Sequence, residues 1–325
     1  DSLPRSIGFL RFIFFVFAIN YYLFESNNKY VNLIFKFWTI VFIIISVDLI
    51  YEYFVGVNTL GFKSYMPGRL SGFFNQELKI GHLYSALILI CLSSIYLQLK
   101  DLNLKKTNLF FNFIKNNLFY LILILFLFIS IIIGERSNFI KTFIMTIMFL
   151  FIFEKKNILK KTASIIIGLF IIFFIIINNA DYKERFWRTF LLPLITDPIN
   201  SVLDSHYGNH YEVAIEVYKN HKLMGVGLKN YRKEVVKEQY PNNASIHPHQ
   251  IHLELLSETG IVGYISFLFL FFYHLFFSIS SYIKKKNIYQ LSGILFVIVS
   301  LIPIIPSEFI TPISFFKPFF SPLLI

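Results

Sequence analysis

The sequence predicts an all-α, polytopic transmembrane helix bundle. Three observations carry that expectation: the apolar fraction, the recurrence of spans long enough to cross a bilayer, and the placing of lysine clusters between them. Of 325 residues, 56% are hydrophobic and 15% charged, and the mean hydropathy is +0.63. A soluble domain runs about 45–50% apolar and 25% charged, so the composition excludes one. A hydrocarbon core about 30 Å thick needs roughly 20 residues of helix at 1.5 Å each. Such stretches lie at 7–25, 32–54, 80–99, 109–133, 138–153, 162–179, 253–281 and 289–306.

Taken in order, the spans alternate in the charge at their C-terminal ends. Lys29 comes after the first, Lys100, Lys105 and Lys106 after the third, Lys155, Lys156, Lys160 and Lys161 after the fifth, and Lys284, Lys285 and Lys286 after the seventh. Short cytoplasmic loops are enriched in Lys and Arg, so these four clusters define one side. The fifth span is short and reads as poorly tilted or partly re-entrant. Segments 55–79, 134–137 and 180–252 then belong to the opposite, outer face. The whole of 1–325 reads as one transmembrane domain, with 180–252 as a large outer-face loop inserted between spans. That loop is the one region with the composition of a water-soluble segment, and loops of such length are commonly functional. Its Gly225 and Gly227 read as a turn between short amphipathic helices. The opening "DSLPRS" would fit the end left by a cleaved signal peptide and reads equally well as a loop between helices, and "SFFKPFFSPLLI" stops in mid-pattern, so a piece of a longer protein is expected.

The formal charge of +11 is accounted for by membrane orientation, and no nucleic-acid partner is expected. The single cysteine, Cys91, lies in an apolar run and offers neither a disulfide framework nor a thiolate metal site.

Chemistry-bearing residues collect at the outer face. "HPHQIHLELLSETG" places His247, His249 and His252 at the entrance to the seventh span. A neutral-pH imidazole suits general-base work; three imidazoles also suffice for a zinc ion, and polar residues at a helix entrance need no function at all. Arg136, in "GERSNFIKT", sits where the fourth span meets the interface, either as a snorkelling anchor or as a two-pronged grip on an anion. Arg69, in "PGRLSGFFNQE", is a second outer cation, for phosphate, for sugar, or for the interface alone. Glu254 and Glu258 share a helix face in its first two turns, as solvated first-turn acids or as carboxylates that orient His or Arg. Gly260 and Gly263 read as helix-packing positions. Acidic residues do not gather in an outer loop as they would around magnesium.

His249-Gln250 followed by Gly260-Ile261-Val262-Gly263 resembles the signature of the O-antigen ligase and O-antigen polymerase superfamily. "HKLMGVGLKNYR" resembles that family's glycine-bearing loop segment, and "GERSNFIKT" its arginine-bearing helix start. The likeness runs over roughly residues 65–280. It implies a metal-independent membrane glycosyltransferase without cofactor, in the bacterial inner membrane with its active face periplasmic. The implied donor is a glycan on undecaprenyl diphosphate, and the implied acceptor is lipid A-core or another glycan. His249 is expected as base and Arg136 as diphosphate grip, with Arg69, His247, Gln250, His210 and Glu254 expected to bind substrate. Where the family carries a further loop arginine, this chain has "DSHYGNHYEVA"; His206 or His210 then replaces it, or Arg185, Arg188 or Arg69 supplies the second clamp. A repeat-unit polymerase is the alternative within the superfamily. A lipid-linked-sugar transporter or flippase is the alternative outside it, and would show charges and broken helices at the membrane midplane.

Overall fold

The computed structural model describes residues 14, 17, 18, 21, 28–101, 109–153, 157–203, 205–237, 239, 240 and 245–303. Among them all regular structure is helical. The longer helices are α1 (Asn28–Val55), α2 (Ile80–Asp101), α3 (Leu109–Ile132), α4 (Arg136–Phe153), α5 (Ile158–Asn178), α6 (His206–Asn220), α7 (Ile251–Lys285) and α8 (Ile288–Ser300). A short turn at Ala180–Tyr182 continues into wide, π-type turns over Lys183–Leu191. So rich a supply of Ile, Phe and Val would favour strands in water. In hydrocarbon each backbone N–H and C=O needs an internal partner, and a helix supplies them all within one segment.

Five described helices are long and apolar enough to cross a membrane: Tyr30–Val55, Ile80–Asp101, Arg136–Phe153, Ile158–Asn178 and Ile251–Lys285. The chain is thus a multi-pass membrane protein, with shorter apolar helices at Asn117–Ile132 and Ile288–Ser300. The predicted span 7–25 lies mostly outside the described residues, as do Lys105, Lys106, Lys155 and Lys156 of the lysine clusters. The span expected at 289–306 is corrected: α8 ends at Ser300, and at 13 residues it is about 20 Å long. Pro303 comes next but two, and offers no N–H to extend a helix.

The chain divides into two compact units, one of Asn28–Leu191 with Asn287–Val299, the other of Leu192–Lys286 with the chain ends. The polar stretch 180–252 is shared between them. In the first unit α2 is central, with every residue from Tyr84 to Ile95 buried and α1, α3 and α4 packed around it. Ser93 and Ser292 join α2 to α8 through hydroxyls 2.7 Å apart, the kind of interhelical polar contact that substitutes for a hydrophobic drive in lipid. By contrast α5 turns Ile166, Phe170, Phe173 and Phe174 outward, a face suited to lipid.

The second unit has a core more like that of a water-soluble protein. Val213, Ala214 and Val217 of α6 pack with Tyr231, Val235 and Tyr240, joined by Val226 and Leu253. α7 is not one straight rod: at Gly260 the backbone turns to φ 64, ψ −171, so that its first turns pack on α6 and the remainder departs as the membrane span.

Candidate functional site

In the first unit the polar residues converge on the tight connection between α3 and α4. Segment 56–79 is fastened to the end of α1 by two carboxylates. Asp48 accepts from the Thr59 amide (2.9 Å) and hydroxyl (2.6 Å). Glu52, buried, accepts from the Ser71 amide (2.7 Å), the Ser71 hydroxyl (2.8 Å) and the Gly72 amide (2.8 Å). A buried carboxylate is tolerated only with such partners. The Leu70 amide then donates to the Ile133 carbonyl at 3.1 Å. These bonds hold Arg69, between them in sequence, against the α3–α4 connection.

Gly134 makes that approach possible. Its φ is 77, and a Cβ there would stand 1.8 Å from the Gly68 carbonyl oxygen. The Gly134 carbonyl accepts from Arg185 Nη2 at 3.1 Å and Nε at 3.3 Å. Arg69 donates to the Leu78 carbonyl (2.8 Å) and lies 3.5 Å from Glu135 Oε2, while its buried Nε has no acceptor. Glu135 Oε1 is 3.1 Å from His82 Nε2. Arg136 opens α4 with its guanidinium carbon 6.0 Å from the Phe190 ring centre, within cation–π range.

Arg69 and Arg136 are each close enough to Arg185 to act on it. Burial first, then repulsion from Arg69 and Arg136, draws the Arg185 pKa down to about 10. Three guanidiniums thus lie near one another with one largely buried carboxylate, Glu135, paired to Arg69, an arrangement that favours an arriving anion. Arg188, named with Arg185 as a candidate clamp, forms an exposed i,i+4 pair with Glu184 at 3.3 Å and is not part of this group.

In the second unit the His-Gln segment forms the entrance to α7. Gln250 is its N-cap: the side-chain oxygen accepts from the His252 amide, and Nε2 donates to the Pro303 carbonyl, both at 2.5 Å. His249 takes a left-handed backbone at φ 55, a region that non-glycine residues enter seldom and Asn, Asp and His more often than the rest. That bend sets its ring beside Tyr207 (centroids 5.8 Å, 76°) and the buried His210 (5.6 Å, 35°). Ser245 Oγ lies 3.5 Å from His249 Nε2 and accepts from the His247 amide at 3.2 Å. His210 and His249, 39 positions apart in sequence, are therefore neighbours; the side chain of His206 lies outside the described residues.

His252 faces elsewhere. Its Nδ1 is 2.9 Å from Tyr264 Oη and its Nε2 is 2.9 Å from the Leu301 carbonyl. Since a carbonyl only accepts, Nε2 carries the proton and Nδ1 accepts from the tyrosine. Both nitrogens are thus used within the protein, across the bend at Gly260. Among the described residues no three His, Cys, Asp or Glu side chains are grouped to hold a metal ion.

Glu254 pairs with Lys229 at 2.6 Å, both side chains largely buried, rather than with a histidine or arginine. The glycine loop closes the arrangement. The bend at Gly260 leaves helix carbonyls and amides unpaired. The Ser257 and Glu258 carbonyls accept from the Val226 and Gly227 amides (2.9 and 2.8 Å), and the Ile261 and Val262 amides donate to the Lys222 and Leu223 carbonyls (2.8 and 3.3 Å). Gly260 is therefore a break filled by another stretch of backbone, not a helix-packing position. A Cβ at Gly225 would fall 2.4 Å from Glu258 backbone, and one at Gly260 2.2 Å from the Leu223 oxygen.

The family model described as O-antigen ligase matches residues 121–268. Over that stretch the chain is similar to the O-antigen ligase family. That match runs from within α3 to beyond the bend of α7, so the matched stretch takes in Arg136, Arg185, the glycine loop and the His-Gln segment, while Arg69 and His82 precede it. No curated protein matches the chain.

Sequence reasoning missed His82, Glu135, Asp48, Glu52 and Lys229 as members of these groups. Asp48 and Glu52 had a signal, two acids one turn apart near the end of an apolar helix. The others had none, because each acts through a partner distant in sequence.

Proposed function

We propose that the chain is a membrane glycosyltransferase of the O-antigen ligase type. It transfers a glycan from undecaprenyl diphosphate to a sugar hydroxyl of lipid A-core or a related acceptor, at the periplasmic face of the bacterial inner membrane. The observation that carries the reading is the gathering of Arg69, Arg136 and Arg185 around the Gly134–Glu135 connection. A sugar joined through its anomeric carbon to a lipid diphosphate already has a good leaving group, so catalysis consists largely in holding the charge that develops there. Guanidiniums do this with paired hydrogen bonds. On the acceptor side a hydroxyl needs its proton removed as the bond forms, and His249 is the base for that step. Its backbone supports the assignment, since the left-handed turn at His249 sets the ring beside His210 and Tyr207. His210 and His247, beside it in the same unit, are assigned to acceptor binding, and Gln250 to holding the helix entrance. Glu254 contributes indirectly, through Lys229 and the glycine loop.

Complementation tests the reading. Restoration of polymer-bearing lipopolysaccharide in ligase-deficient bacteria is expected, read as a ladder on a gel. Rescue of chain length in polymerase-deficient cells instead would replace the ligase assignment by the polymerase one. Rescue of neither, with the protein present in the membrane, would count against both.

A further inference from the structure

His82 and Glu135 adjoin the arginines, and their own seating is specific. The Glu135 carboxylate occupies the space in front of Gly81, where a Cβ would stand 2.1 Å from Oε2. Burial opposes its charge, but His82 and then Arg69 outweigh that and hold the Glu135 pKa below the ordinary carboxylate range. Oε1 engages His82 Nε2 at 3.1 Å, leaving Nδ1 as the other proton-carrying position of the ring. The charged groups around His82 are Glu135 and Arg69, with Arg136 and Arg185 coupled to them, and the exposed Lys79–Glu77 pair (2.7 Å) in the turn leading into α2.

The charges of these groups match one state of the donor and not the next. Arg69, Arg136 and Arg185 offset by Glu135 leave two positive charges, and a lipid diphosphate esterified to a sugar carries two negative ones. When the sugar leaves, the terminal phosphate becomes a monoester and a third negative charge develops on its freed oxygen.

We propose that His82, seated on Glu135, is a further catalytic residue that gives a proton to that oxygen. The inference rests on the diphosphate-donor reading. The electron pair of the breaking C1–O bond goes to the phosphate oxygen, and the proton of the imidazolium moves to it. The acceptor oxygen forms the new bond to C1 and gives up its own proton to the base, so protons and charge balance over the transfer. Glu135 orients the ring as a carboxylate orients a catalytic histidine elsewhere.

The test needs no glycan. Purified full-length chain in detergent at pH 8 is titrated calorimetrically with farnesyl diphosphate, a monoester, and with its terminal methyl ester, a diester of one charge fewer. The chain is expected to bind the monoester about tenfold more tightly and to take up a proton as it does so, read from the dependence of heat on buffer ionisation. His82→Gln should bind the diester normally while losing the preference and the uptake. Glu135→Gln should bind the diester more tightly, having lost a negative charge, yet also lose the uptake. An unchanged preference in His82→Gln overturns the proposal, and so does equal loss of both probes, which would make His82 a structural prop. Failure of the donor reading differs: either probe binds Arg136→Ala and Arg185→Ala as well as it binds the unaltered chain, or the unaltered chain binds neither, and the proposal then falls with it.

Discussion

His249 at φ 55 shapes how its substitution should be read. Alanine lacks the base but also sits poorly in a left-handed backbone, at a cost of about 1–2 kcal/mol, so loss of activity in His249→Ala mixes two effects. Asparagine tolerates that conformation. His249→Asn is therefore expected to reach the membrane in normal amount and melt near the unaltered temperature, with transfer down about 10²–10⁴-fold. Near-normal transfer would leave the His-Gln segment as a helix entrance alone. His252→Ala should behave in the opposite way, losing about 1–2 kcal/mol of stability with its two hydrogen bonds and little rate per folded molecule. His247→Ala is expected to fall between these. At Arg136, alanine should abolish transfer and lysine should rescue poorly, because an ammonium cannot form the guanidinium's parallel pair of bonds; full rescue by lysine would reduce that residue to a point charge.

Among the elements, α7 and the glycine loop form a reciprocal clasp. Each repairs the other's unpaired backbone, and an unpaired buried amide or carbonyl costs about 1–3 kcal/mol. Gly260→Ala forces a side chain into a left-handed bend 2.2 Å from the Leu223 oxygen, and should destabilise by more than about 2 kcal/mol, read as a lowered melting temperature in detergent. Gly168→Ala in α5 is the matched control: its Cβ would meet only Leu127 Cδ1 at an ordinary 3.7 Å, and alanine is the better helix former by about 1 kcal/mol. A Gly260 variant as stable as the control would show that the clasp closes without it. The helix start at 251 and the G-x-x-G spacing were legible in the sequence, but not this exchange of hydrogen bonds with residues 222–227. Periodicity reports which face of a helix is apolar and says nothing of a break whose partner lies more than thirty residues away.

For the whole molecule the testable quantity is orientation. The lysine pattern of the sequence predicts that 180–252 faces outside, and the one thiol, Cys91, is buried and leaves little background. Asn220→Cys, at the end of α6, is expected to react with an impermeant maleimide from the periplasm. Labelling only after the inner membrane is permeabilised would reverse the topology and remove the proposed mechanism. EDTA is expected to leave transfer unchanged, since the cations assigned to the diphosphate are guanidiniums; loss restored by zinc or magnesium would require the histidines to be reread as ligands.

The sequence by itself determined the class of the molecule and the order of its helices. In lipid each span must satisfy its own backbone, so length, hydropathy and flanking lysines are local quantities that a linear reading recovers. It also marked Arg136 and His249, because polar residues at the ends of apolar runs stand out against their neighbours. Tertiary structure decided which cations act together. Arg69 is brought to the Gly134–Glu135 connection by carboxylates on α1, Arg185 by the carbonyl of Gly134, and His82 by a carboxylate seated against Gly81. The Glu254 carboxylate, which the sequence left open between a solvated first-turn acid and a group orienting His or Arg, pairs with Lys229. These meetings depend on how separate helices and loops pack, and a charge finds its partner by distance in space, for which separation along the chain is no guide.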